Sequence, residues 1–183
     1  MGRLVDRRRM TRMRDGTATE VVDQLAVEEP LTLRVNGVDV ATTMRTPGHD
    51  IELALGWLVS EGIVRRPSDV VGAIACDAST VEVRLSPQLD APTPRLTMTS
   101  SACGICGADS ITEVVARRGA VRSGGDVQQV STSVVAALPD RLRVAQSAFD
   151  RTGGLHAAGF FTLEGDPVCI REDVGRHNAV DKV

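Results

Sequence analysis

The stretch Leu31-Thr32-Leu33-Arg34-Val35-Asn36-Gly37-Val38-Asp39-Val40 restricts the fold more than any other part of the chain. Leu31, Leu33 and Val35 alternate with polar residues, as Val38 and Val40 do after the Asn-Gly pair. A period of two puts alternate side chains on one face of a strand. Asn-Gly supplies the two consecutive positive φ angles of a type I′ turn, whose twist matches that of paired strands. A two-residue loop sets Val35 opposite Val38 and Leu33 opposite Val40. The pattern therefore predicts a hairpin with one uniformly apolar face, which must be covered by another element.

Pro47-Gly48 breaks the chain after this hairpin, and the spacing predicts a helix from about Asp50 to Glu61. Ile51, Ala54, Leu55 and Leu58 recur at helical intervals, and Leu53 and Trp57 widen the apolar face. Asp50 suits the helix N-terminus, and Gly62 sits where a left-handed C-cap falls. A second β segment is expected from about Val71 to Leu85, followed by a loop marked by Pro87, Pro92 and Pro94. Ser110 and Glu113 have capping-box spacing, so a helix from about Ile111 to Arg118 is expected, with Ile111, Val114 and Val115 buried and Gly119 ending it. Helical segments resume from about Ser133 to Phe149, with a break expected at Pro139, and Arg151-Thr152-Gly153-Gly154 terminates them. A second hairpin is expected over Ala157 to Leu163 and Val168 to Arg171, turning at Glu164-Gly165-Asp166-Pro167. Asp173 then reads as the cap of a final helix. That helix reaches Val183 without a stop signal, so it is expected to pack against part of a longer protein or a second copy.

Strands alternating with helices predict an α/β chain of the α+β kind: a mixed sheet with helices packed on it. The expected division is a disordered basic tail over 1–18, a smaller β-rich N-terminal lobe with one buried helix over 19–95, and an α/β core over 96–183, incomplete at its C-terminal end. With 42% hydrophobic and 25% charged residues, the composition is that of an ordinary soluble domain, and no apolar run is long enough to span a bilayer. No signal-peptide pattern follows Arg3, Arg7, Arg8, Arg9, Arg12 and Arg14, so a cytoplasmic location is expected. The net charge of −3 and an aromatic content of 2% argue against a nucleic-acid partner, because neither a basic field nor stacking surfaces are available. Lys182 is the only lysine in the chain, which reads as compositional bias toward arginine.

Four cysteines without a secretory signal do not make a disulfide framework. Cys76 and Cys169 lie among apolar residues and read as small core side chains. Cys103 and Cys106 differ. They occupy Ser100-Ser101-Ala102-Cys103-Gly104-Ile105-Cys106-Gly107, where glycine follows each sulfur and a helix is expected just beyond. An open loop next to a helix N-terminus exposes sulfur and favours the thiolate. Three readings fit: half of a structural zinc site, a dithiol–disulfide oxidoreductase, or a sulfur carrier working through a cysteine persulfide. No second pair of zinc ligands at similar spacing is present. His156 offers a third ligand for deaminase-like zinc chemistry, but Ala158 stands where the proton-shuttling glutamate of an H-x-E motif belongs, and Ala102 replaces the proline before the first cysteine. No catalytic metal is therefore expected.

Two polar segments remain. Thr152-Gly153-Gly154-Leu155-His156 reads either as a helix stop or as a glycine loop whose amides hold phosphate. Arg171-Glu172-Asp173-Val174-Gly175-Arg176-His177-Asn178 is dense in polar groups, and an anion site there competes with a solvated helix start.

Taken together, these segments resemble the formate dehydrogenase accessory sulfurtransferases of the FdhD/NarQ family. Four blocks carry the match, in the family's order: Arg45-Thr46-Pro47-Gly48 running into Glu52-Leu53-Ala54 and Glu61-Gly62; Cys103-Gly104-Ile105-Cys106-Gly107; Thr152-Gly153-Gly154-Leu155-His156; and Arg171 through Lys182. The resemblance implies a protein that accepts persulfide sulfur from a cysteine desulfurase. It then passes that sulfur to the bis-molybdopterin guanine dinucleotide form of the molybdenum cofactor for formate dehydrogenase. It further implies that Cys103 carries the sulfur, with Cys106 an accessory thiol. Contacts to the cofactor would come from Gly153, Gly154, His156, Arg171, Arg176 and His177. A cytidine-deaminase-like core and a homodimer are also implied. Family members continue past the point where this chain stops, so part of the cofactor site is expected beyond Val183.

Overall fold

A computed structural model describes residues 3–94 and 128–183. The cysteine loop with Cys103 and Cys106, and the helix expected over 111–118, lie outside the described residues.

The first element corrects the sequence reading. Strand β1 (Val5–Arg14) pairs antiparallel with β2 (Thr17–Ala26), and Asp15 and Gly16, at φ 50° and 75°, form the turn. Residues 5–14, expected within a disordered tail, are thus half of a hairpin. Asp-Gly is the same turn signal as Asn-Gly, and the arginine charge does not oppose pairing because carboxylates neutralise part of it. Arg3 and Arg8 meet Asp6 at 2.9 and 2.6 Å, and Arg12 meets Asp23 at 3.1 Å.

The second sheet contains β3 (Glu29–Val35), β4 (Val38–Arg45), β5 (Val70–Asp77) and β6 (Thr80–Leu85), in the order β4-β3-β6-β5. It is mixed: β3 runs parallel to β6, and the other pairs are antiparallel. Asn36 and Gly37 take the positive φ angles that the turn requires. The expected register holds beside the turn, where Val35 pairs with Val38, but not at Leu33, expected opposite Val40. Arg34 pairs with Asp39 but Leu33 pairs with Ala41, so a bulge makes Val40 the extra residue. The bulge buries both Val40 and Ala41 and leaves Val38 at the surface. Helix α1 (Asp50–Ser60) covers the apolar face: Leu53, Ala54 and Leu58 pack with Leu31, Leu33, Val35, Val81 and Val83 in one core. Gly62, at φ 72°, follows the helix in the left-handed conformation expected of it.

Cys76, expected in the core, is exposed, and Cys169 is only half-buried. Strand β5 is an edge strand with register shifts at both ends, and its Val71 and Ile74 are exposed too. Apolar alternation there does not equal burial.

In the C-terminal part, α2 (Thr132–Ala145) runs through Pro139 without interruption, and Ser131 caps it by accepting from the Val134 amide. A proline removes one helical donor and need not end a helix that packs. The break falls at Gln146, after which α3 (Ser147–Thr152) stops at Gly153, φ 65°. Strands β7 (His156–Phe161) and β8 (Pro167–Asp173) form the expected hairpin, and α4 (Arg176–Asp181) ends the described chain. Helix α4 packs within the chain. It lies on α1 so closely that a Cβ at Gly56 would run into the Asp181 carbonyl. Asp173 is not its cap; the residue before the helix is Gly175, and Asp173 ends β8. Among the described residues no helix is long and apolar enough to cross a membrane.

Candidate functional site

Two segments from opposite ends of the chain meet where β4, β8 and α4 converge. Arg45 closes β4 with its side chain almost fully buried. Its guanidinium forms a two-pronged pair with Asp50, Nε to Oδ1 at 2.9 Å and Nη2 to Oδ2 at 3.1 Å, and donates to the Ala78 carbonyl at 2.9 Å. This planar fork ties the end of the sheet to the start of α1 and fixes the turn of Thr46-Pro47-Gly48 between them.

That turn is the socket for the C-terminal motif. Asp173 is fully buried and accepts from the Thr46 amide at 3.0 Å, the Gly175 amide at 2.8 Å and Asn178 Nδ2 at 3.1 Å. Lys182 Nζ lies 2.6 Å from its second oxygen and donates to the Thr46 carbonyl at 2.7 Å. Thr46 Oγ1 accepts from the Val174 amide at 3.1 Å, and Asn178 Nδ2 donates to the Met44 carbonyl at 2.7 Å. Every polar group of this clasp has partners, the condition under which buried charge is tolerated. Glu172 is also structural: its two carboxylate oxygens accept from the Ala148 and Phe149 amides at 2.9 and 2.7 Å, which satisfies the first turn of α3.

The clasp was missed in the sequence because its members are scattered. One signal was present: the single lysine of the chain, Lys182, whose ammonium meets Asp173 and the Thr46 carbonyl.

What remains exposed is the face toward solvent. Strand β7 begins at His156, which pairs with Asp173 at the end of β8. The Gly153-Gly154 loop entering β7 and the Gly175 turn leaving β8 therefore lie at the same end of the hairpin. His156, Arg176 and His177 are exposed there, as are Gly153 and Gly154. Arg171, paired with Ala158 further along the hairpin, is half-buried. Its Nη2 comes to 3.8 Å from Glu52, its Nη1 donates to the Ile170 carbonyl at 3.0 Å, and its buried Nε has no hydrogen-bond partner among the described residues. His49 precedes α1 at φ 56° and its Nδ1 lies 3.0 Å from Glu52. Burial pushes the Glu52 carboxyl up, but the His49 hydrogen bond, with the charges of His49 and Arg171, holds it below the usual range. The predicted residues thus divide. Gly153, Gly154, His156, Arg176 and His177 gather at one end of the hairpin, Arg171 stands beside α1, and Cys103 and Cys106 lie outside the described residues.

This arrangement, a mixed sheet clasped to a C-terminal hairpin that presents a glycine loop and basic side chains, is a known one. The fold matches the crystal structure of a protein from Desulfotalea psychrophila assigned as a formate dehydrogenase accessory protein, with a TM-score of 0.73 at 18% identity, covering 98% of this chain and 67% of that one. The model of the FdhD/NarQ family matches residues 26–183. The chain is 45% identical over 195 residues to the sulfur carrier protein FdhD of Streptomyces avermitilis, covering all of this chain and 69% of the relative. It is 44% identical over 190 residues to the sulfur carrier protein FdhD of Mycobacterium tuberculosis, covering 94% of this chain and 68% of that protein. The chain belongs to the FdhD/NarQ family.

Proposed function

We propose that this protein is a sulfur carrier in the maturation of formate dehydrogenase, with Cys103 as the carrying thiol. The observation that supports this most is the family match, together with the glycine-flanked Cys103-Gly104-Ile105-Cys106 motif inside the matched residues. The Cys103 thiolate attacks the terminal sulfur of a persulfide on a cysteine desulfurase. The donor's sulfur–sulfur bond breaks, the donor cysteine leaves as a thiolate, and Cys103 holds the new persulfide, so the step needs no outside oxidant or reductant. Cys106 serves as an accessory thiol.

The acceptor is bis-molybdopterin guanine dinucleotide, a substrate of the protein, and it supplies the electron pair that takes the terminal sulfur and frees the Cys103 thiolate. The exposed end of the β7–β8 hairpin fits an anion of this kind. Gly153 and Gly154 offer open backbone, His156, Arg176 and His177 offer donors, and Arg171, further along the hairpin, has a buried Nε–H with no partner among the described residues. The clasp holds this end in place.

The test is intact-mass spectrometry after incubation with a cysteine desulfurase and cysteine. A gain of one sulfur, removed by reductant and absent in Cys103→Ala, is expected. Normal loading of Cys103→Ala would overturn the assignment, and a Cys103–Cys106 disulfide that reduces protein disulfides would favour the oxidoreductase reading.

A further inference from the structure

The arginines of the β1–β2 hairpin are not evenly paired, although Arg14, on the same face as Arg8 and Arg12, also makes no ion pair among the described residues. Alternation along the strands puts Arg8 and Arg12 on the face of Asp6 and Asp23, where ion pairs at 2.6 and 3.1 Å neutralise them. The opposite face carries Arg7 and Arg9, two residues apart and so about 7 Å along the strand, with Met13 and Val22 beside them. Among the described residues no carboxylate pairs with either guanidinium, and Glu20 on the same face makes no ion pair. Met13 and Val22 are each 66% exposed.

We propose that this face, centred on Arg7, Arg9, Met13 and Val22, docks the protein that delivers the sulfur, through an acidic surface on that partner. The inference rests on the sulfur-carrier reading above, because a persulfide held on another protein's cysteine can be handed over only if that protein docks. Arginine with exposed methionine and aliphatic side chains is the composition of a protein interface. A nucleic-acid surface would need more positive charge or stacking rings, and residues 3–26 carry six arginines against four carboxylates, with no aromatic residue. The whole chain is nevertheless at −3, so the residues outside this hairpin carry a net charge of −5, with 15 basic against 20 acidic side chains. An acidic partner is repelled by the rest of the molecule and attracted here, which favours one landing place.

The experiment compares the full chain with Arg7→Glu/Arg9→Glu, both side chains being exposed, and with Arg65→Glu/Arg84→Glu as a control of equal charge change away from the hairpin. Sulfur loading is followed by mass spectrometry with two donors: a purified cysteine desulfurase with cysteine, and inorganic polysulfide, which needs no docking. Loading from the desulfurase should slow on the order of tenfold at low salt in the hairpin variant. The difference should shrink as salt rises, while loading from polysulfide and the control variant's behaviour stay unchanged. Equal desulfurase-driven loading in the hairpin variant and the native protein would overturn the proposal, as would an equal loss in the control. A change in sedimentation coefficient without a change in loading would assign the face to a second copy, and loss of RNA binding alone would assign it to nucleic acid; both overturn it. Failure of the native protein to load from either donor would instead remove the sulfur-carrier reading.

Discussion

Replacing Lys182 with methionine keeps the length of the side chain and removes its ammonium. That ammonium lies 2.6 Å from Asp173 and donates to the Thr46 carbonyl at 2.7 Å, with both charged side chains excluded from solvent. The change leaves a carboxylate buried without its counter-charge and a carbonyl without its donor. Breaking a buried pair from one side costs about 3–5 kcal/mol. Asp173 retains N–H donors from Thr46, Gly175 and Asn178, which places the expected loss at the lower end, about 3 kcal/mol. With a urea slope of about 2 kcal/mol/M, the unfolding midpoint falls by about 1.5 M. Trp57, the only tryptophan and packed against the core, reports the transition by fluorescence. Adding Asp173→Asn removes the stranded charge, so the double variant should lose less than the sum of the two singles by about 1 kcal/mol or more. Lys182→Arg keeps the charge but forces a planar guanidinium into a site that holds an ammonium, and it too should lose stability. A midpoint shift below about 0.5 M for Lys182→Met, or strict additivity in the cycle, would refute the account of the clasp.

Gly56→Ala should destabilise by about 3 kcal/mol, because the new methyl meets the Asp181 backbone and α4 has to move off α1; a native-like urea midpoint would contradict the close packing. Asp181→Asn tests the same contact by pH. Burial pushes the Asp181 carboxyl up, against the hydrogen bond from Ser60 and the charge of His177, with Glu61 adding to the rise. A carboxyl raised in the folded state costs stability above its folded pKa and costs nothing below the unfolded one. Asp181→Asn should therefore be more stable than the native protein at pH 7, with the gain narrowing as pH falls toward 4. A gain that grows in acid would show that the sign is wrong.

Local signals made the two central elements of the N-terminal half legible. Asn36-Gly37 set a turn by backbone conformation alone, and the spacing of Ala54 and Leu58 fixed the buried stripe of α1 without reference to the rest of the chain. The same logic applies to Asp15-Gly16, whose turn signal sits beside a run of arginines that by composition alone suggests a solvated tail. The register of β4 was legible beside the turn, where Val38 pairs with Val35, but not beyond Asp39, because a bulge answers to the packing of Val40 and Ala41 against the core and not to the turn. Pro139 and Cys76 depart from their local preferences for a related reason. A local preference shifts an equilibrium by a few kcal/mol at most, and tertiary packing decides whether it prevails.

The candidate site shows the division most clearly. The sequence by itself determined the family, the cysteine pair and the polar residues of Arg171 through Asn178, since a motif is a pattern of residue types along the chain. It did not separate those that act on solvent from those that hold the fold. Only the tertiary structure turned Asp173, Asn178 and Lys182 inward to close on Thr46, and left His156, Arg176 and His177 outside. The reason is physical: burial and counter-charge are properties of neighbours more than 120 residues away, and no local pattern in the chain encodes which of several adjacent polar side chains will meet them.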